Sequence, residues 1–92
     1  MPTIQIPPVL RPAVGGAKSV HAEGGTLGSL LDNLYEEYPA LVTQLKPGAD
    51  RLSRSVNVYV DDEDVRTLQG ADTPVTSNST VIILPAMAGG EG

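Results

Sequence analysis

Cysteine is absent from this chain of 92 residues. That alone excludes disulfides, thiolate zinc sites, iron-sulfur clusters and a cysteine nucleophile. Histidine occurs once, as His21, with no second histidine or cysteine to share a metal, so it reads as a residue of a strand surface. Cations are also scarce: six Lys and Arg stand against eleven Asp and Glu, for a net charge of -5. Such a balance disfavours nucleic acid or an anionic membrane as partner and fits a basic protein surface better. No apolar run approaches the ~18 residues a membrane helix needs. Met1 to Leu10 carries no positive leader, and the expectation is a cytoplasmic protein. No repeat or low-complexity run occurs. The length suits one small domain whose core and function share few residues.

Ten Gly and eight Pro punctuate a patterned chain. Thr3, Ile4, Gln5 and Ile6 alternate polar with apolar, the period of a strand buried on one face. Pro7 and Pro8 remove two backbone donors and should stop pairing, which Val9 and Leu10 can resume before Arg11 and Pro12. Gly15 and Gly16 suit a turn, and Lys18 to Ala22 can return as a second strand. Thr26, after Gly24 and Gly25, is an N-cap candidate. Leu27, Leu31, Leu34 and Tyr38 then fall at spacings of four, three and four with Leu30 beside them, one apolar helical stripe that Pro39 terminates. Burying its four leucines is worth about 1.5 to 3 kcal/mol each.

Residues 40 to 54 read as a connector anchored by Leu41, Val42 and Leu45. Val56, Val58 and Val60 alternate with Asn57 and Tyr59, the clearest strand of the chain. Asp61 to Asp64 form a polar turn, Val65 to Leu68 a short strand, and Asp72 to Ser79 a second turn-rich stretch. Val81, Ile82, Ile83 and Leu84 are consecutive apolar residues, which predicts a central strand covered on both faces. The expected fold is α+β, a mixed sheet of four to five strands packed on one main helix, in the order of a ubiquitin-like β-grasp.

After Leu84 come Pro85, Ala86, Met87, Ala88, Gly89, Gly90, Glu91 and Gly92. The expected division is a domain over 1–86 and a flexible tail over 87–92. Glycines lack Cβ atoms, so such an end can lie extended in a narrow cleft with its carbonyl open to attack. On composition alone an inert chain end is the favoured reading, and it is the neighbouring residues that change it.

Other motifs carry ordinary readings. Gly15-Gly16-Ala17-Lys18-Ser19 lacks the first glycine of a phosphate loop and is a hairpin turn. The Gly24-Gly25-Thr26 helix start reads as a cap rather than an anion site. Asp61, Asp62, Glu63 and Asp64 lack the glycine and distal glutamate of a calcium loop, leaving a solvated turn or a docking point for a basic partner. Asn78-Ser79-Thr80 is a turn. His21 with Ser19 or Asp50 makes no convincing triad, so catalysis by this chain alone is not expected.

With the β-grasp order in place, the diglycine tail resembles that of the ThiS/MoaD family of ubiquitin-like sulfur carriers. Ile6-Pro7, Leu10-Arg11-Pro12, Lys18-Ser19-Val20, Thr26-Leu27-Gly28, Val56 to Val60, Asp62 to Arg66 and Ile83 to Ala86 look like the actinobacterial branch that supplies sulfur to cysteine synthesis. The resemblance implies a co-substrate rather than an enzyme. It binds no cofactor of its own, and an E1-like partner uses ATP to adenylate the terminal glycine before a sulfur donor leaves a thiocarboxylate. By the match Gly90 would carry the sulfur, and Gly89 and Ala88 would give the tail its slim reach. The acceptor in the cysteine branch is a pyridoxal-phosphate synthase, and a metalloprotease releases the product.

Glu91 and Gly92 depart from that pattern, and processing between Gly90 and Glu91 would expose the diglycine. Met87 and Pro85 are candidates for a partner interface with the alternating face of the strands nearby. Two competitors share these features: a ubiquitin-like modifier joined to lysines, and a β-grasp binding module with an inert tail.

Overall fold

A computed structural model of the chain describes residues 1–85; 86–92, which carry Met87, Ala88, Gly89, Gly90 and Glu91, lie outside the described residues. Five strands form one sheet: β1 (Thr3–Gln5), β2 (Ser19–His21), β3 (Val56–Val60), β4 (Glu63–Asp64) and β5 (Thr80–Pro85), in the order β2-β1-β5-β3-β4. β1 and β5 are parallel and the other pairs antiparallel, so the sheet is mixed. Two helices, α1 (Leu27–Glu37) and α2 (Pro39–Leu45), complete the α+β fold.

The expected helix is α1, and Thr26 caps it, its hydroxyl accepting from the Ser29 amide at 3.2 Å. Leu27, Leu30, Leu31 and Leu34 are all buried, and they meet Ile4, Val58, Val81 and Ile83 from the sheet in one core. Chain entry into α1 is tight. A Cβ on Gly24 would lie 2.4 Å from the backbone nitrogen of Leu30, so this position has no room for a side chain.

Four local expectations are corrected. Val9 and Leu10 do not resume a strand, because Pro8 opens a 3-10 helix over Pro8–Val14 that buries Leu10 and Val14 and leaves Val9 outside. Proline supplies a helical φ and lacks only an amide that a first turn leaves unpaired. The connector after Tyr38 is instead the helix α2. Pro39 ends α1 and begins α2, and Leu41 and Leu45, four apart, seal its inner face, whereas Val42 is exposed.

Third, only Glu63–Asp64 pair with β3; Val65–Thr67 form a 3-10 turn because the Asp64 carboxylate captures the Arg66 amide at 2.8 Å. Fourth, β5 is central, yet only Val81 and Ile83 are buried. Both helices pack on one side of the sheet, so Ile82 is half-buried and Leu84 is 45% exposed on the other.

Turns behave as their residues require. Gly15 and Gly16 hold φ of 71° and 85° at the N-terminal hairpin tip. Asp61 and Asp62 sit at φ 51° and 74° between the paired Val60 and Glu63, a two-residue hairpin of the type that favours Asp. Asp61 also accepts the Thr80 amide at 2.9 Å, which ties this turn to the start of β5.

Candidate functional site

The end of β5 is the place from which residues 86–92 depart, and its surroundings follow from strand register. Leu84 stands opposite Asn57, Ile82 opposite Tyr59 on one side and Gln5 on the other, and Pro85 opposite Val56. Alternation places Ile82, Leu84, Tyr59, Asn57 and Gln5 together on the face without helices. Leu84 is exposed there, and Pro85, which follows it at the end of the strand, is exposed as well.

A shallow groove of about 250 Å³ runs between β5 and the Pro7-Pro8 corner, with Arg11 at its border. The Arg11 side chain is fixed by donating its Nε–H to the Ile6 carbonyl at 3.2 Å. On the opposite flank, Arg66 donates to the Asn57 side-chain oxygen at 2.8 Å and to the Ser53 carbonyl at 3.4 Å. The exit of β5 thus has an apolar floor with a guanidinium on either side. An exposed apolar patch bordered by fixed charges is the anatomy of a protein-docking surface.

Chemistry intrinsic to the globule is meagre. No group of three or more His, Asp or Glu among the described residues is arranged to hold a metal. His21 is exposed on β2, and among the described residues no hydrogen bond joins it to Ser19 or Asp50. Asp61 and Asp64 act as turn-forming groups through their backbone contacts. Asn78 belongs to a turn in which its amide donates to Thr76 Oγ1 at 3.3 Å. No helix among the described residues is long and apolar enough to cross a membrane.

Of the residues singled out in the sequence, Pro85 is described, and the strand expected to end at Leu84 runs one residue further to include it, paired with Val56. Met87, Ala88, Gly89, Gly90 and Glu91 lie outside the described residues. Sequence reasoning missed Arg66 and the Pro7-Pro8 corner as neighbours of this exit. Their only signal is strand register, which brings residues 57 and 84 side by side.

Known proteins match this arrangement along most of its length. The model of the ThiS family matches residues 4–90, a span that ends on the second glycine of the diglycine. The "Sulfur carrier protein CysO" of Mycobacterium tuberculosis H37Rv is 46% identical over 92 residues, covering 96% of this chain and 97% of that one.

The crystal structure of Mycobacterium tuberculosis CysO, described as an antigen, superposes with a TM-score of 0.85 at 42% identity, covering 95% of this chain and all of the other. CysO in the Amycolatopsis orientalis BexX/CysO complex gives a TM-score of 0.85 at 39% identity, with 97% of this chain and 99% of that one covered. These structures share the ubiquitin-like β-grasp described above. By sequence and by fold, the chain belongs to the ThiS family.

Proposed function

We propose that this chain is a sulfur carrier, a protein co-substrate rather than an enzyme, whose Gly90 is charged after Glu91 and Gly92 are removed. The observation that carries this reading is the extent of the family match: it runs through the whole globule and stops at Gly90. Identity to a relative named a sulfur carrier supports it.

The chemistry follows from the carboxylate itself. A carboxylate resists nucleophiles because its carbonyl carbon is shielded by delocalised charge. Attack of the Gly90 carboxylate oxygen on the α-phosphorus of ATP expels pyrophosphate and forms an acyl adenylate. Hydrosulfide (HS⁻) released by a sulfur donor then adds to that carbonyl and expels AMP, and after loss of its proton to solvent the terminus is a thiocarboxylate. The thiocarboxylate sulfur attacks an electrophilic acceptor, and cysteine biosynthesis is the branch proposed here.

The globule provides none of these reacting groups; it presents the terminus. An E1-like partner consumes the ATP, so no resident cofactor is needed. A pyridoxal-phosphate synthase accepts the sulfur, and a metalloprotease trims or releases the product. All of these steps belong to the cytoplasm. CysO of Amycolatopsis orientalis is found in complex with BexX, and a carrier that docks on a partner protein suits this reading. Ile82 and Leu84 on the face without helices, with Pro85 at the strand end, are the proposed partner surface, and Met87 is a further candidate by its place in the sequence.

Charging of the terminus and the product it leads to separate the alternatives. A chain ending at Gly90 should support ATP–pyrophosphate exchange with its activating partner and gain sulfur in place of oxygen by intact mass, while the chain ending at Gly92 should do neither. Equal charging of both forms would remove the trimming step. Absence of exchange with the trimmed chain would overturn the carrier reading, and lysine-linked adducts on denaturing gels would identify a protein modifier instead.

A further inference from the structure

In a chain of net charge -5 with six Lys and Arg in all, a gathering of cations is informative. Lys46, Arg54 and Arg66 line a single cavity of about 560 Å³ in which Asp50 is the one carboxylate. Asp50 is engaged, its Oδ1 accepting the Leu52 amide at 3.1 Å. Among the described residues the one ion pair joins Arg51 to Asp32, so none of the three cations is neutralised by a carboxylate. Arg66 is held by two neutral oxygens, of Asn57 and Ser53, with the rest of its guanidinium fork open. Arg54 makes no side-chain hydrogen bond among the described residues and is exposed.

The position of this cavity gives it a role. Arg54 and Ser55 immediately precede Val56, the register partner of Pro85, and Asn57, which fixes Arg66, faces Leu84. The cationic cavity therefore opens beside the end of β5, next to the apolar face. We propose that this cavity docks a carboxylate-bearing segment of the enzyme that charges the tail, an inference that rests on the carrier reading above. An apolar patch is non-directional and leaves the globule free to rotate on its partner. A cation cluster off to one side fixes the orientation and speeds encounter. Long polyanions are repelled by the net charge of the chain, whereas a short acidic loop meets a concave pocket of the opposite sign.

Two measurements test this on the full and the trimmed chain. In the first, ¹⁵N-labelled full-length protein is titrated at low salt with a hexaglutamate peptide and, separately, with inorganic pyrophosphate. The peptide should shift the amides of Lys46, Arg54, Ser55 and Arg66, and both Arg54→Gln and salt near ~0.5 M should remove the shifts. Silence with the peptide, or a response to pyrophosphate alone, overturns the proposal.

In the second, Arg54→Glu in the chain ending at Gly90 should raise the KM for adenylation on the order of tenfold at low salt with kcat unchanged, and the gap should close as salt rises. An unchanged KM overturns the proposal. A thermal melt should show that the variant is folded, since Arg54 makes no side-chain hydrogen bond among the described residues. If the wild-type trimmed chain is never adenylated, the carrier reading falls, and the peptide titration still reads the cavity.

Discussion

Arg51 grips Asp32 with two parallel bonds, Nε to Oδ1 at 3.0 Å and Nη2 to Oδ2 at 2.9 Å. The same Arg51 accepts, at its carbonyl, the Tyr35 hydroxyl at 2.8 Å. Residues 32 and 35 lie three apart on α1 and so share a face, and one loop residue is clipped to that face twice. Arg51 adopts φ 67° to make both contacts. The loop after α2, which lines the cationic cavity, is thereby held to the main helix.

Acid should loosen this clip. The hydrogen bond and charge of Arg51 hold the Asp32 carboxyl below its ordinary value of 3.8. A depressed carboxylate stabilises the fold above its ordinary value, and that contribution is lost as pH falls through the lowered one. Melting temperatures of the wild type and Asp32→Asn should differ slightly at neutral pH and converge below pH 3.8. Both side chains are largely in solvent, so high salt should also shrink the difference. Parallel pH curves would show that the pair contributes nothing.

Tyr35 acts at the alkaline end. Burial first, then the charges of Asp32 and Asp50, push its hydroxyl up to about 12 from 10.0. In that window the unfolded chain has lost the proton and the folded chain keeps it, so stability falls as pH rises from 10 to 12. Tyr35→Phe should flatten this alkaline slope. It should also cost about 1 to 3 kcal/mol at neutral pH if the Arg51 carbonyl is left without a donor. Ultraviolet titration of the three tyrosines should show one ionising late, and its loss in the variant assigns it.

Neighbouring glycines should respond unequally. An added methyl at Gly24 meets the backbone of the fully buried Leu30 at 2.4 and 2.6 Å, while at Gly25 it meets nothing within 4 Å. Gly24→Ala should cost about 1 to 3 kcal/mol or more, since neither backbone segment can yield cheaply, and Gly25→Ala should stay within about 0.5 kcal/mol. Urea unfolding of the two variants side by side checks the contrast.

Stability and docking should separate along the sheet. Leu31, 1% exposed, should cost about 2 to 5 kcal/mol as Leu31→Ala through the cavity it leaves. Leu84→Ala, at a residue 45% exposed, should cost far less in a melt and weaken adenylation instead. Gly89→Ala should leave the melting temperature unmoved. Equal thermal damage from Leu31→Ala and Gly89→Ala would contradict a division between packed body and reactive end.

Long signals in the sequence were the dependable ones. The α1 stripe is confirmed by burial of its leucines, and β3 by the burial of Val56, Val58 and Val60. The helix α2 was illegible because its inner face needs only Leu41 and Leu45, and Pro39 looks like a terminator when it is also an initiator. Proline misled again at Pro8, where strand-breaking chemistry is also helix-starting chemistry. In β5 four apolar residues imply two covered faces, yet Ile82 and Leu84 turn to the side without helices. The diglycine was visible at once, whereas Arg54 and Arg66 become neighbours of the β5 end only through pairing of β3 with β5.

Parallel pairing of the first and last strands has a mechanical consequence. β1 begins at Thr3, β5 ends at Pro85, and the two run side by side in the same direction. A force applied between the two ends of the chain therefore loads their shared hydrogen bonds in shear, all together rather than one after another. An enzyme that tugs the carboxyl end into its cleft while holding the amino end would draw on a handle that resists unzipping.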